Sequence, residues 1–245
     1  MSERPAAVED RADAASRRRP VRSYVLRKGR ITEGQRRALR ELWPRFGVAP
    51  GSGPLDFATL FGNDRPVIME IGFGNGAATW RMARDRADEN YLGVEVHRPG
   101  VGHLLLKIEE HGLENVRIAC EDAVELLRAR VPAASLDGVR IFFPDPWHKK
   151  RHHKRRLVQA PFVELLATRM KPGAILHIAT DWAPYAEQMV AVLAASPAFD
   201  TLSPTGEYCP RPEWRPPTRY EQRGERLGHD VFDLVYRRVD ASGAN

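Results

Sequence analysis

Cysteine is scarce in this chain: two thiols in 245 residues, Cys120 and Cys209, lie far apart and form no CxxC pair. That excludes a disulfide framework and a cysteine-built zinc site as organising features, and it suits a reducing cytoplasm, the expected location. Long apolar runs are missing too. No stretch approaches the roughly eighteen apolar residues of a membrane span, and the N-terminus has no apolar signal core. No internal repeat is visible. Acids are absent from one place in particular: between Ser16 and Thr32 there are seven Lys/Arg and no Asp or Glu. Residues 1 to about 21 also lack apolar periodicity, so we expect a disordered basic tail there, and a short disordered tail without basic residues over 240–245.

What is present is concentrated. The formal net charge is +6, and Lys149, Lys150, Arg151, Lys154, Arg155 and Arg156 contribute six positive charges alone, leaving the remainder formally neutral. A local excess of this kind favours a polyanionic partner over a generally basic surface. The run belongs to FFPDPWHKKRHHKRR, residues 142–156, where an apolar strand end passes through Pro144, Asp145 and Pro146 to Trp147 and then into the cations. Prolines on both sides of Asp145 hold it in irregular backbone, where no ladder or helix competes for its oxygens. A turn-stabilising acid beside a solvated charged face is the plain alternative. His148, His152 and His153 have no acid or cysteine nearby and too many like charges around them to suggest a metal site.

Strand and helix patterns alternate from Val67 onward. VIMEIG, YLGVEV, VRIAC, GVRIFF and AILHIAT read as strands. Helices are expected over roughly 77–87, 101–111 and 122–130, then over LVQAPFVELLATRM and APYAEQMVAVLAA, with VFDLVYRRV as a final strand. Before them, ITEGQRRALRELW carries a cap signal at Thr32 and is expected to stop at Pro44. Such alternation, with 42% hydrophobic residues, argues for one doubly wound α/β sheet.

EIGFGNGA, Glu70–Ala77, places Gly72, Gly74 and Gly76 just after the first strand, where a ligand can approach backbone amides. Gly72, Gly74 and Ala77 also fit a dinucleotide fingerprint, with Glu95 where a ribose-binding acid falls, so a nicotinamide enzyme is a rival reading. Against it, Glu70 directly before the turn would set a carboxylate near a pyrophosphate, whereas S-adenosylmethionine brings an ammonium and a sulfonium. Glu95 is placed to accept both ribose hydroxyls and Asp122 to meet the adenine amino group. Alternatively these are a strand-end acid and a helix cap. Three acids ending successive strands beside one glycine turn favour a nucleoside cofactor.

These motifs, with TDW at 180–182 and PPTRYEQRG at 216–224, occur in an order that strongly resembles the bacterial tRNA (guanine-N7-)-methyltransferase family. The likeness runs from about Arg22 to Val239, through RSYVLRKGR, EIGFGNG, LGVEVHRPGVG, FFPDPWHKKRH, TDWAPYAE and RLGHDVFDLVYRRV. It implies a Rossmann-like class I methyltransferase sheet, mostly parallel with an antiparallel C-terminal strand, in one domain over 22–239. It further implies S-adenosylmethionine as donor, tRNA as partner, and methylation of the variable-loop guanine at tRNA position 46. By motif position Glu70, Glu95, Asp122 and Asp145 would be cofactor-pocket acids beside Gly72, Gly74 and Gly76, with Asp145 also catalytic. Lys149, Asp181, Thr218, Arg219, Tyr220 and Glu221 would bind substrate, and Arg151, His152, His153, Lys154, Arg155 and Arg156 would meet RNA. No metal or membrane is expected, and the protein would be a monomer or homodimer. A helix cap is the plain alternative for Asp181. Trp147 is either a stacker for the exposed base or an aromatic covering the sheet end. A binding module that kept the fold without turnover is the non-enzymatic rival.

Overall fold

The computed structural model describes residues 23–24, 29–49, 51, 53–217, 221 and 230–240. Seven strands form one sheet in the order β3-β2-β1-β4-β5-β7-β6. They are β1 Val67–Ile71, β2 Asn90–Val94, β3 Val116–Ala119, β4 Leu136–Phe142, β5 Met170–Thr180, β6 Phe199–Thr201 and β7 Phe232–Arg238. The first five pair in parallel, while β7 runs antiparallel to both β5 and β6. Strand order reverses between β1 and β4, so the carboxyl ends of these strands open a crevice at a topological switch point.

Helices cover both faces. They are α1 Glu33–Glu41, α2 Trp43–Phe46, α3 Phe57–Phe61, α4 Ala77–Asp85, α5 Arg98–His111, α6 Ala123–Ala129, α7 Ala160–Arg169 and α8 Ala183–Ala194. Each β1 residue is buried, as a strand sandwiched between two helical layers requires. Val67, Met69 and Ile71 point into a cluster with Val139, Ile141, Leu176 and Leu166. Ile68 joins Leu104, Leu105, Ile108 and Ala38 on the opposite face.

Several boundaries differ from expectation. Pro44 does not stop the first helix: α1 ends at Glu41, and Pro44 sits in the first turn of α2, where its missing N–H costs nothing. Thr32 and Gln35 form the capping box, with Gln35 Oε1 accepting from the Thr32 N–H at 2.9 Å. Pro99 likewise opens α5 three residues earlier than the apolar pattern suggests. Besides the short helices α2 and α3, neither the three-residue β6 nor a 3-10 helix over Lys150–Arg155 within the basic run was anticipated. The fragment Gly47–Val48 lies along β3, where the Val48 N–H donates to the Ile118 carbonyl at 2.8 Å.

Candidate active site

A cavity of about 350 Å³ opens at the carboxyl ends of β1, β2, β3 and β4. Ile71 and Gly72 line it from β1, Val94 and Glu95 from β2, Glu121 and Asp122 from β3, and Phe142 to Asp145 from β4. Asp145 is exposed and makes no hydrogen bond among the described residues. Its loop is strained on both sides: Phe143 has φ 52° and Trp147 φ 47°, left-handed values that a bulky residue adopts only when its surroundings impose them. The Phe143 N–H donates to the Ala179 carbonyl at 2.8 Å, carrying the β4–β5 ladder one residue past the strand. Strain and ladder together fix the loop that brings Asp145, without a hydrogen-bond partner among the described residues, to the cavity wall.

Two other acids serve the fold and the cavity at once. Asp122 caps α6, Oδ1 accepting from the N–H groups of Val124 at 2.8 Å and Glu125 at 3.2 Å, which leaves Oδ2 available. Glu95 accepts three backbone N–H bonds, Oε1 from Val96 (2.7 Å) and His97 (2.9 Å), and Oε2 from Gly74 (2.9 Å). A carboxylate has about four acceptor sites, so Glu95 in this conformation retains room for one ribose hydroxyl, not two.

Glu70 departs from expectation. It is buried, does not line the cavity, and accepts from the Thr79 hydroxyl at 2.6 Å, beneath the glycine turn. Burial pushes its pKa up to about 7, against the smaller opposing effects of Thr79 and Arg140. Gly76 is also set apart: a Cβ there would fall 2.7 Å from Leu104 Cδ1, so its small size serves packing against α5. Gly74 lies outside the lining, and its carbonyl is approached so closely by Gly100 that a Cβ on Gly100 would sit 1.9 Å away. Only Gly72 of the three reaches the cavity wall. A carboxyl that keeps its proton to about pH 7 when folded, against 4.5 in its ordinary state, contributes its stability below that window and loses it as pH rises through it. Glu70→Gln should therefore match the parent near pH 4.5 and exceed it at pH 8 by up to about 3 kcal/mol, read from urea melts at both pH values.

The basic run divides. Lys149, Lys150, Arg151 and Lys154 are exposed. Arg156 is a correction to the RNA-facing set: it is 3% exposed, and its guanidinium donates to the Pro146 carbonyl (2.8 Å) and Gln188 Oε1 (2.5 Å), above the Tyr185 ring. It fastens the Asp145 loop to α8. Arg155 lies 3.9 Å from the Trp147 ring centroid and donates to the Tyr24 carbonyl at 3.0 Å. His153 approaches Arg156 at 3.2 Å, while His152, its pKa lowered by burial and then by surrounding cations, stands edge-on to Trp147. A second cavity of about 410 Å³, lined by Arg128, Lys154 and Arg155, shares Asp122, Val124 and Leu157 with the first. The cationic segment and the acid-lined crevice are neighbours.

Trp147 donates from Nε1 to the Ser23 carbonyl at 3.1 Å, and a guanidinium already covers a face of its ring. This is the fold-supporting role. Trp147→Leu should leave RNA affinity within about threefold of the parent and lower stability by about 1–2 kcal/mol, the worth of a partly desolvated cation–π contact, in paired binding and melting measurements.

Asp181 is exposed, and α8 is capped at Trp182 without a side-chain bond, so Asp181 is not a helix cap. Trp182 meets His148 edge-on at 4.2 Å, bringing the start of α8 to the basic loop. Glu221 is 3% exposed, and both its oxygens accept from Arg215 at 2.7 Å. Thr218, Arg219 and Tyr220 lie outside the described residues, as do residues 1–22 and 241–245. Ser23, Tyr24 and His97 line the main cavity without having been singled out. Nothing in their residue types announces the role. Among the described residues no group of three His, Cys, Asp or Glu gathers as a metal site would need.

A family described as "Putative methyltransferase" matches residues 64–234. A tRNA (guanine-N(7)-)-methyltransferase of Salmonella choleraesuis is 52% identical over 221 residues, covering 90% of this chain and 92% of the relative. One of the same description from Alkalilimnicola ehrlichii is 52% identical over 238 residues, covering 96% and 100%. The chain belongs to the tRNA (guanine-N7-)-methyltransferase family. Solved structures agree on the fold: a 16S rRNA methyltransferase, KamB, matches with TM-score 0.53 at 16% identity, over 75% of this chain and 92% of that one. A 16S rRNA (adenine(1408)-N(1))-methyltransferase from Catenulisporales acidiphilia, solved with its cosubstrate S-adenosylmethionine, gives 0.51 at 16%, over 78% and 95%. The sheet of this family member is thus a class I methyltransferase sheet.

The cavity lining suits the donor such a methyltransferase uses. Glu95, Glu121, Asp122 and Asp145 bring four carboxylates, and no Lys or Arg lines the cavity among the described residues. That surface repels a pyrophosphate and attracts a sulfonium and an ammonium. The nicotinamide reading fails on this lining, although Glu70 is not the acid that decides it.

Proposed function

We propose that this tRNA guanine-N7 methyltransferase uses S-adenosylmethionine in the acid-lined crevice and acts on the variable-loop guanine at tRNA position 46. The observation that carries the reading is the juxtaposition of four carboxylates around one cavity with an exposed cationic segment at its rim. When bound, the donor supplies a methyl group made electrophilic by its sulfonium. Guanine N7 already has an in-plane lone pair, so no base is needed to remove a proton first; the protein's task is alignment. Asp145, held without partners, accepts from the guanine N–H edge and stabilises the positive charge the base acquires. Glu95 takes one ribose hydroxyl, Asp122 Oδ2 the adenine amino group, and Gly72 the close backbone approach.

Lys149, Lys150, Arg151 and Lys154 dock tRNA phosphates, and Asp181 and Lys149 are the exposed substrate-binding residues. We take residues 22–239 as the methyltransferase domain. Among the described residues no helix is long and apolar enough to cross a membrane; we place the enzyme in the cytoplasm, where its RNA is. The test is direct. Purified protein is incubated with unmodified tRNA and methyl-labelled S-adenosylmethionine, and the RNA is digested to nucleosides. Label in 7-methylguanosine, lost when the guanine at position 46 is replaced, is expected; label in another nucleoside, or none, sinks the reading.

A further inference from the structure

Arg215 is 1% exposed and binds two carboxylates, each through two hydrogen bonds. Nε and Nη2 donate to Asp233 at 2.7 and 2.8 Å, while Nη1 and Nη2 donate to Glu221 at 2.7 Å each. Asp233, on β7, also accepts from His177 of β5 at 2.7 Å. The His177 tautomer is fixed by chemistry: the Trp214 indole can only donate, and it does so to Nδ1 at 3.1 Å, so Nε2 carries the proton toward Asp233. Burial, the largest effect on His177, pushes its pKa down to about 4 and keeps it neutral.

This buried cluster abuts the end of β4. His177 meets the Phe142 ring edge-on at 5.0 Å, and the Arg215 guanidinium lies 5.9 Å from the Phe143 ring centroid. Phe142 and Phe143 line the methyl-donor crevice, and Phe143 is the left-handed residue two positions before Asp145. On its other side the cluster holds Glu221, in the PPTRYEQRG segment.

We propose that Arg215 is a positioning residue for methyl transfer: by clamping Glu221 to Asp233 and bracing Phe143, it holds Glu221, β7 and the loop presenting Asp145 in one register. Glu221 then serves the reaction through Arg215 and not through contact with guanine. A buried charge cluster is a weak source of stability, since apolar replacements of the same volume are often neutral, whereas removing one partner is costly. Fixing geometry is the use that remains.

The inference rests on the tRNA-methylation reading, so parent and variants are assayed together on unmodified tRNA. Arg215→Lys and Glu221→Gln should each lower kcat by about a hundredfold, the cost of a misplacement near 1 Å, with S-adenosylmethionine affinity within about threefold of the parent. Because the two act as a unit, the double variant should be no slower than either single one. Factors that multiply in the double variant, or a rise confined to the KM for tRNA in Glu221→Gln, would overturn the proposal. If a single variant does not fold, Arg215→Met/Glu221→Met/Asp233→Asn removes all three charges while nearly keeping volume: a stable protein with the same loss supports the clamp, and one with parent kcat defeats it. A parent that makes no 7-methylguanosine would instead remove the assigned function, which separates the two failures.

Discussion

Asp145→Asn should bind S-adenosylmethionine as the parent does, within about threefold, and transfer its methyl group about a hundredfold more slowly or worse. The size of the effect follows from how Asp145 is held. Two left-handed residues, Phe143 and Trp147, and two prolines shape four bonds of backbone around one side chain, and no protein group hydrogen-bonds that side chain among the described residues. Strain of order 1–3 kcal/mol at each such residue persists only where the surroundings over-determine it. Here Arg156 supplies part of that constraint by gripping the Pro146 carbonyl. Asparagine preserves shape and can still accept a hydrogen bond, but it loses the charge that stabilises a base turning cationic. An Asp145→Asn enzyme with near-parent turnover and donor bound would show that alignment by the rest of the site suffices.

Replacing Lys149, Lys150, Arg151 and Lys154 together by alanine should nearly abolish the salt dependence of tRNA binding. Each phosphate contact contributes roughly 0.7 to the slope of log affinity against log salt for single-stranded RNA, so four predict a slope of magnitude about 3. The parent should then lose about fifty-fold in affinity between 50 and 200 mM salt, and the quadruple variant only a few-fold. Six cations would predict a slope above 4, but Arg155 and Arg156 spend their guanidinium groups on Tyr24, Pro146 and Gln188. A quadruple variant with the parent's slope would move the RNA interface elsewhere.

That division of the basic run was not legible in the sequence, and the reason is physical. Cations adjacent in the chain are separated by a 3-10 turn that points some outward and turns others toward α8, about thirty residues on. The strands were legible because β1 and the part of β5 from Ala174 onward are largely buried and read as mostly apolar runs, whereas the exposed start of β5 over 171–173 was not. The cap reading of Asp122 was legible and holds, and it occupies only one of the two carboxylate oxygens. The burial and partners of Glu70 and Glu221 were not legible for a common reason: they depend on residues such as Thr79 and Arg215, which pattern and spacing do not connect to them. Motif position carried the acids to the right strand ends and could not say which way each side chain turns.

The three helices before β1 matter for anyone shortening this protein. The matched family region begins at residue 64, and a truncation there would look reasonable. It would remove Ala38 and Phe46 from the second core cluster and strip Val48 from the outer edge of β3, uncovering the side of that strand not paired with β2. An exposed strand edge beside a freshly opened apolar face is a template for self-association, so such a fragment should precipitate during expression even though every residue of the crevice acids is retained.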